Sequence, residues 1–475
     1  MIGLGEPIMS RIDVSPEQFR ILAHRVSDLC ADYLQDIPEK ESYPLTTGEE
    51  TISAFAKPLP EQGMGEAALD ELPRVMNLSR APSPRFFGYV LGSGEPVAAV
   101  ADLAASVINQ NVTAWRSGPA AVTIERVVVG WLAELVSCNG FGGSLTGGGF
   151  SANLMGLAMA REAKATANDF GVRAGGVVYA SSEVHMSIPK AVALLGLGHH
   201  AVRYIPVDKN FRMAIPELER AIARDRKAGK QGIAVLGSAG TVNTGSIDPL
   251  EEIAGIARDN DLWFHVDGAY GALAAAASPE KFKGLSQADS LSLDPHKWLF
   301  QPLDCGCLLY RDPAAAQKAF SHSGDYTKVL NTDPIESFAF FEESMELSRR
   351  FRALKLWLSL RFHGAAAFRA TIAENLRLGQ FLAELIRKEP LLELMAPVEL
   401  SAVCFRYKPQ GMSDERANTL NAEIMRQAQR GGRVFISNAT IDRKFCLRAC
   451  ITNHRSTEND VAAVVKEVLR IGETL

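Results

Sequence analysis

Short apolar runs alternate with amphipathic segments along the middle of the chain, from about residue 120 to about residue 310. The apolar runs are rich in β-branched and aromatic residues, which predicts strands at GVVYAS, AVRYIPVD, GIAVLGSA, LWFHVD and DSLSLD. Segments of helical periodicity lie between some of them, such as ELERAIARDRK and LEEIAGIARDN. Because strands alternate with helices, the pattern predicts an α/β fold with a mostly parallel, doubly wound sheet.

The two ends of the chain carry different patterns. Residues 15–75 predict helices, with Ser15 as the N-cap before Pro16, and a proline-rich stretch follows. Beyond about residue 350 a long predicted helix leads into a smaller unit with both helical and strand patterns. We therefore expect an N-terminal helical arm (1–80) that packs against a partner subunit, a large domain (81–365) and a small C-terminal α+β domain (366–475).

The composition is ordinary for a globular enzyme. Of 475 residues, 47% are hydrophobic and 22% are charged, and the net charge of -5 gives no basic surplus for nucleic acid or an anionic membrane. We find no secretion signal and no long uncharged apolar stretch, so we expect a cytoplasmic protein without a membrane partner. The seven cysteines include no CxxC pair, so the sequence predicts neither a disulfide framework nor a metal site.

Two charged residues follow predicted strands, at the sheet edge where doubly wound folds bind ligands. Lys297 lies in the apolar run LSLDPHKWLF, where desolvation disfavours its charged form and makes the amine a nucleophile. Asp267 ends LWFHVD, and the small residues after it leave room for a flat ligand. Its carboxylate suits the pyridine nitrogen of a cofactor, although a helix cap or a metal ligand fits the same position.

A glycine-rich turn, GGSLTGGGFSANLMG, precedes a predicted helix whose free amides favour a phosphate. Gly147, Gly149 and Ala152 also match the GxGxxA pattern of dinucleotide-binding folds. We expect no β-branched strand before this turn, which speaks against a nucleotide-dependent oxidoreductase. A single phosphate is the better interpretation, and a plain flexible turn stays open.

Two further segments reach the same predicted edge. His185 follows GVVYAS, where an imidazole stacks on an aromatic cofactor or moves a proton, or simply bonds to the backbone at a helix start. Thr241 lies in AGTVNTGSIDP, whose hydroxyl and amide groups also suit a simple turn.

Together these segments resemble the group II pyridoxal-phosphate-dependent amino acid decarboxylases, which include the aromatic-L-amino-acid and tyrosine decarboxylases. The resemblance runs from about residue 80 to about residue 455 and is carried by HVDGAYG, DPHKW, SRRFRALKLW, SPRFFGY and WRSGPA. It implies a fold type I, transferase-like protein with a seven-stranded sheet. It also implies a carboxy-lyase of amino acid metabolism that acts as a homodimer, with each active site between two subunits.

The resemblance also assigns residues. Lys297 would join pyridoxal 5'-phosphate as a Schiff base, Asp267 would pair with the ring nitrogen, and His185 would stack on the ring, which makes these three the expected catalytic residues. The remaining expected cofactor contacts are Gly148, Gly149, Phe150, Thr241, Ala269, Asp294 and His296. The expected substrate pocket comprises Phe87, Tyr89, Val90, Leu91 and Trp115.

The chain departs from the family pattern at several positions. Phe150 stands where the phosphate turn usually offers a hydroxyl, and Val242 replaces a threonine, so we expect weaker cofactor binding. In the loop before Arg349, Phe340 falls where aromatic decarboxylases supply a protonating tyrosine, and Tyr326 lies upstream. With phenylalanine there, the intermediate could react with oxygen, giving an aldehyde synthase instead of a simple decarboxylase.

Two questions of function stay open at the level of sequence. The aromatic pocket residues favour Tyr, Phe, Trp or Dopa as substrate, whereas Arg116 would suit an acidic substrate if it faced the pocket. A non-catalytic binding protein is the alternative of another class. The presence of Lys297, Asp267 and His185 together argues against it, because a scaffold that only binds needs no such set.

Overall fold

The computed structural model describes residues 12–172, 175–322 and 333–475. Its centre is a seven-stranded sheet with the strand order β1-β7-β6-β5-β4-β2-β3. The strands are β1 (Gly142–Thr146), β2 (Gly176–Ser181), β3 (Val202–Ile205), β4 (Gln231–Ser238), β5 (Trp263–Asp267), β6 (Ser290–Leu293) and β7 (Gly306–Tyr310). Only β7 runs antiparallel to its neighbours in this sheet, so the predicted mostly parallel α/β fold is confirmed.

Helices cover both faces of this sheet, which makes it doubly wound. One face packs on α5 (Pro119–Leu135), α9 (Ile215–Lys227), α10 (Leu250–Asp259) and α13 (Ala353–His363). The other face packs on α6 (Gly149–Ala165), α8 (Ser187–Leu194) and α12 (Pro313–Phe320). Two short helices, α7 (Ala167–Phe170) and α11 (Pro295–Trp298), complete this part of the chain, and α11 carries Lys297.

The first strand corrects one expectation. β1 directly precedes the glycine-rich turn, so the prediction that no strand comes before this turn is wrong. A Cβ at Gly142 would lie 2.7 Å from the Tyr310 ring, and one at Gly143 would lie 2.4 Å from the Leu308 carbonyl oxygen. The strand begins with two glycines because β7 packs closely against it, and Thr146 is its single β-branched residue, which leaves little of the pattern by which strands are recognised.

Four helices precede α5 at the start of the described chain. They are α1 (Pro16–Asp36), α2 (Gly48–Phe55), α3 (Leu72–Leu78) and α4 (Pro96–Ile108). The predicted cap of α1 is present, because the Ser15 hydroxyl accepts the Gln18 amide and the Gln18 side chain returns to the Ser15 amide. None of the residues of α1 is buried, so this helix contributes little to the core of its own chain.

The C-terminal part forms a second, antiparallel sheet with the order β10-β11-β9-β8. Its elements are α14 (Ala365–Lys388), β8 (Leu392–Leu394), β9 (Ala402–Tyr407), α15 (Asp414–Gly431), β10 (Ser437–Ile441), β11 (Lys444–Cys450) and α16 (Glu458–Gly472). Gly364, with φ of +78°, separates α13 from α14 close to the expected domain boundary, although the boundaries themselves stay predictions. Within the described ranges, no helix is both long and apolar enough to cross a membrane.

Candidate active site

A pocket of about 510 Å³ opens at the carboxyl ends of the parallel strands. The register places Asp267 beside Ser238 and Ser292 at the ends of three neighbouring strands, so the loops that follow these strands meet. The C-terminal sheet closes the other side of the pocket with Ser437, Asn438 and Arg448. The site is thus built between the two sheets, in the volume range of small-molecule sites.

Lys297 lines this pocket from α11, just after β6. Its Nζ lies 2.9 Å from Oδ2 of Asp294, which orients the ammonium group. The neighbouring His296 is held by a 2.7 Å contact between its Nδ1 and the Cys305 carbonyl. Burial lowers the pKa of His296, and the charge of Asp294 opposes this effect.

Asp267 ends β5 and is 7% exposed. Its carboxylate accepts hydrogen bonds from the Ser292 hydroxyl at 3.2 Å, from the Ala269 amide at 3.2 Å and from the Asn153 side-chain amide at 3.1 Å. A carboxylate held by donors on several sides keeps a fixed orientation, which suits the ring nitrogen of a cofactor.

His185 lines the pocket after β2. Its Nδ1 lies 2.9 Å from the Ser187 hydroxyl and accepts the Ser187 amide at 3.2 Å. Burial lowers the pKa of His185 below its usual value, Asp267 opposes this, and Lys297 adds to it. The imidazole is therefore neutral at neutral pH.

The glycine turn leads directly into α6, which begins at Gly149. Gly148 has φ of +140°, and a Cβ at position 149 would lie 2.7 Å from the Ala269 Cβ, so both positions require glycine. The first amides of α6 have no partner within the helix and are suited to an anion. Asp294 lies next to this turn, but its contacts are with Lys297 and His296, so its role toward a phosphate stays a prediction.

Thr241 and Phe150 differ in their positions. Thr241 is buried beside the pocket, and its hydroxyl lies 3.0 Å from that of Thr244, while the next residue, Val242, lines the pocket. Phe150 lines the pocket, and the ammonium of Lys190 lies 5.0 Å from the centre of its ring.

The predicted substrate pocket is only partly assembled within this chain. Tyr89 and Val90 line the pocket, whereas Phe87, Leu91 and Trp115 do not. Phe87 is 1% exposed and packs in the core of the C-terminal sheet, so it does not contribute to the pocket of this chain. The expected role of Leu91 and Trp115 in substrate binding stays a prediction.

Sequence reasoning missed Arg448, which lies on β11 and is 3% exposed. Its Nη1 donates to the Tyr89 carbonyl at 2.9 Å and its Nε donates to the Asn243 carbonyl at 3.1 Å. Its Nη2 is buried and has no partner among the described residues. An arginine in the otherwise apolar run FCLRACI was the available signal, because a buried charge needs a reason.

Phe340 does not line the pocket. It is fully buried in a short 3-10 helix, packs edge-to-face on Phe338, and carries the Arg349 guanidinium 4.2 Å from its ring centre. Arg349 is itself paired with buried Glu125. Position 340 is thus part of the core in this structure, and Tyr326 lies outside the described residues.

The residues at this edge fit pyridoxal phosphate. They offer a lysine for its aldehyde, a buried carboxylate for its ring nitrogen, a neutral histidine for its face and helix amides for its phosphate. These groups converge on one pocket at the carboxyl ends of a parallel sheet, which defines the class of cofactor-dependent α/β enzymes.

Comparisons with known proteins narrow this class. The family model described as the pyridoxal-dependent decarboxylase conserved domain matches residues 70–408. The aromatic-L-amino-acid decarboxylase of Bacillus atrophaeus is 34% identical, with 97% of each chain covered. Phenylacetaldehyde synthase of Petunia hybrida is 31% identical, with 92% of this chain and 91% of the relative covered. The crystal structure of Oryza sativa TDC with PLP and tryptamine superposes with a TM-score of 0.91 at 25% identity, covering 98% and 99% of the two chains.

The chain belongs to the pyridoxal-dependent decarboxylase family. It is a pyridoxal-phosphate-dependent amino acid decarboxylase, a carboxy-lyase, of fold type I. The expected family, fold class, reaction and cofactor are thereby confirmed.

Proposed function

We propose that this enzyme decarboxylates an aromatic L-amino acid to the corresponding amine, with Lys297 joined to the cofactor. The observation that carries the proposal is the composition of the pocket wall. On the substrate side, Tyr89, Val90 and Val242 provide an aromatic and apolar surface. Among the described lining residues of this chain, Lys297 and Arg448 are the lysine and arginine, which leaves no second arginine for an acidic side chain.

The cofactor is held by groups of complementary chemistry. Lys297 would provide the amine that joins its aldehyde, Asp267 would accept a hydrogen bond from its ring nitrogen, and the amides of Gly149 and Phe150 would bind its phosphate. When bound, pyridoxal phosphate supplies an electron sink for the electron pair left by departing carbon dioxide. Asp267 supports this chemistry by keeping positive charge on the ring nitrogen.

Arg448 is suited to hold the substrate's carboxylate. Its Nε and Nη1 are fixed by backbone carbonyls, while Nη2 is buried and still free to donate among the described residues. A charge-assisted hydrogen bond to a carboxylate satisfies that donor and orients the substrate. Arg116 is exposed and lies outside the pocket lining, so it provides no positive charge for an acidic side chain in the pocket of this chain.

Oxidative conversion of the amino acid to an aldehyde is the second candidate reaction. Phenylacetaldehyde synthase of Petunia hybrida is a relative, so the scaffold is compatible with aldehyde production. The specific support for it was phenylalanine at position 340, and Phe340 is buried under Arg349 away from the pocket. We therefore favour release of the amine.

We infer a homodimer as well. Val100, Leu103 and Val107 form an exposed apolar stripe on α4, at 65%, 48% and 58% exposure. Their spacing places them on one helix face, which suits burial against a second copy.

A cytoplasmic location is a further proposal, supported by seven free cysteines, six of them buried. Cell fractionation tests it, and recovery outside the cytoplasm would contradict it.

A panel of amino acids tests the substrate class. The purified enzyme, loaded with pyridoxal phosphate, is incubated with Trp, Tyr, Phe, Dopa, Glu, Asp and Leu, and carbon dioxide and amine are measured. We expect kcat/KM to be highest for an aromatic substrate, by tenfold or more on the scale of about 1–3 kcal/mol for a mismatched pocket. A preference for Glu or Asp would contradict the proposal.

A further inference from the structure

Hydrogen bonds connect the strands beneath the pocket to two of its functional side chains. The connected side chains are, in order, Trp263, Ser290, His265, Asn153, Ser187 and His185, with Asp267 joined at Asn153. Asn153 is 1% exposed and is the branch point of this network. Because each group can only donate or accept in defined ways, the network determines where the hydrogens lie.

The orientation of Asn153 follows from Asp267. The Asp267 carboxylate accepts from Ser292 and from the Ala269 amide, and an ionised carboxylate has no hydrogen to give. Asn153 must therefore present its Nδ2 to Asp267, at 3.1 Å. The second hydrogen of the same nitrogen reaches the Ser187 hydroxyl at 3.1 Å. The amide oxygen of Asn153 then faces His265.

The hydrogen position on His265 follows from Asn153. Nε2 of His265 lies 2.9 Å from the Asn153 oxygen, which can only accept, so Nε2 carries the hydrogen. Nδ1 accepts from the Ser290 hydroxyl at 2.8 Å, and the Ser290 oxygen accepts from the Trp263 indole at 2.8 Å. Burial lowers the pKa of His265 to about 4, so the ring is neutral and carries one hydrogen.

The same reasoning applies to His185. The backbone amide of Ser187 donates to Nδ1 of His185 at 3.2 Å, and an amide N–H cannot accept. The Ser187 hydroxyl accepts from Asn153 and gives its own hydrogen to the same Nδ1 at 2.9 Å. The neutral ring therefore carries its hydrogen on Nε2. This atom has no hydrogen-bond partner within residues 12–172, 175–322 and 333–475, and its ring lines the pocket.

The space around His265 matches this arrangement. Gly156 faces the imidazole from α6, and a Cβ there would lie 2.6 Å from both Cε1 and Nδ1 of the ring. Any side chain at position 156 would push His265 away from Ser290 and Asn153. The helix that follows the glycine turn thus also leaves room for the buried histidine.

We propose that Asn153 is a positioning residue, which orients Asp267, sets the Nε2–H form of His265 and, through the Ser187 hydroxyl, supports the Nε2–H form of His185 that the Ser187 amide fixes. His185 consequently faces the pocket as a hydrogen-bond donor at Nε2. Asp267, in turn, keeps its orientation toward the ring nitrogen of the cofactor through Asn153. The inference rests on the proposed function of the site, but it concerns hydrogens that are present whether or not turnover occurs.

Nitrogen NMR tests the hydrogen positions directly. The holoenzyme is labelled with 15N-histidine at neutral pH, and the long-range 1H–15N signals are assigned with His185→Gln and His265→Gln. We expect both rings to be neutral, with the hydrogen on Nε2. A signal for Nδ1–H or for a charged ring at either position would overturn the inference. This result is independent of product formation, so a failure of the proposed decarboxylation is recognised separately.

Variants test the role of Asn153. Asn153→Ala should weaken pyridoxal phosphate binding by about 10- to 100-fold, as expected for loss of a group that orients a ligand-binding side chain. Ser187→Ala keeps the backbone amide donor to His185, so its ring should remain in the Nε2–H form. Asn375→Ala is the matched control, because Asn375 is also buried but donates to the Asn453 carbonyl away from the pocket. Equal cofactor affinity in Asn153→Ala and Asn375→Ala would reject the role, and if Asn153→Ala does not fold, the wild-type NMR decides.

Discussion

At the scale of single residues, the pocket combines Asp267 and Lys297, from the ends of neighbouring strands, with Arg448 from β11 and Asn153 from α6. Lys297 and Asp267 could be found because a charged residue at the end of a buried strand is conspicuous, and the register brings both to one edge. Arg448 and Asn153 could not be found in this way. They come from β11 and α6, and only the packing of the two sheets and the helix brings them to the pocket.

Arg448 gives the first residue-scale prediction. Arg448→Ala should raise KM for the amino acid by about 10- to 100-fold, since a charge-assisted hydrogen bond contributes about 1.5–3 kcal/mol. Arg448→Lys keeps the charge but loses the fork of donors, so its KM should lie between those of the wild type and Arg448→Ala. Steady-state kinetics measure the effect, with exposed Arg426→Ala on α15 as the control. An unchanged KM in Arg448→Ala would show that the carboxylate binds elsewhere.

Phe150 gives the second prediction at the scale of single residues. Phe150→Ser restores a hydroxyl at the phosphate turn, and one added hydrogen bond of about 1 kcal/mol should tighten cofactor binding about fivefold. Lys190→Ala serves as the control, because it removes only the contact between the ammonium and the Phe150 ring. Equilibrium titration of the apoenzyme measures both. Weaker binding by Phe150→Ser would mean that the phenyl ring itself supports the cofactor.

At the scale of elements, strands with β-branched residues were predictable and the glycine-rich one was not. β5 and β6 carry the expected apolar patterns, whereas β1 is glycine-rich where β7 approaches it. Strands are predicted from their β-branched and aromatic side chains. A glycine-rich strand offers few of them and is therefore not recognised from the sequence. The helix α1, by contrast, was marked by its cap at Ser15.

The exposed stripe of α4 makes a prediction at this scale. Val100→Asp combined with Val107→Asp places two charges on the stripe, so the dimer should dissociate at micromolar concentration. Light scattering after size exclusion measures the mass. Phe170→Asp, which changes an equally exposed apolar residue on α7, should leave the dimer intact. A wild-type monomer, or a double variant that stays dimeric, would contradict the assignment of this face.

At the scale of the whole molecule, buried histidines make stability depend on pH. Burial lowers the pKa of His265 to about 4 and that of His454 to about 3, with Arg455 and His363 adding to the effect at His454. Between the ordinary value of 6.5 and about 4, the unfolded chain binds protons that the folded chain does not. Stability is therefore full above about pH 6.5 and falls as the pH decreases. Burial raises the pKa of Asp248 to about 6, which offsets part of this loss.

His454→Asn should reduce the loss of folding stability at acid pH. Between about pH 7 and about pH 5 the wild type should lose at most about 2 kcal/mol of unfolding free energy per buried histidine, and the variant should lose correspondingly less. Urea unfolding at about pH 7 and about pH 5 measures the difference. The exposed His200→Asn is the control, and an acid loss in His454→Asn equal to that of the wild type would contradict the assignment.

The whole molecule joins its two sheets at one pocket, and the reaction in that pocket is the central claim. The most direct measurement is the yield of carbon dioxide, amine and peroxide from an aromatic L-amino acid, for the wild type and for Lys297→Ala, together with the visible absorption of each protein. The account predicts equal amounts of carbon dioxide and amine without peroxide. It also predicts that Lys297→Ala lacks the absorption band of the lysine-bound cofactor and forms almost no amine. Aldehyde with peroxide, or full activity in Lys297→Ala, would contradict it.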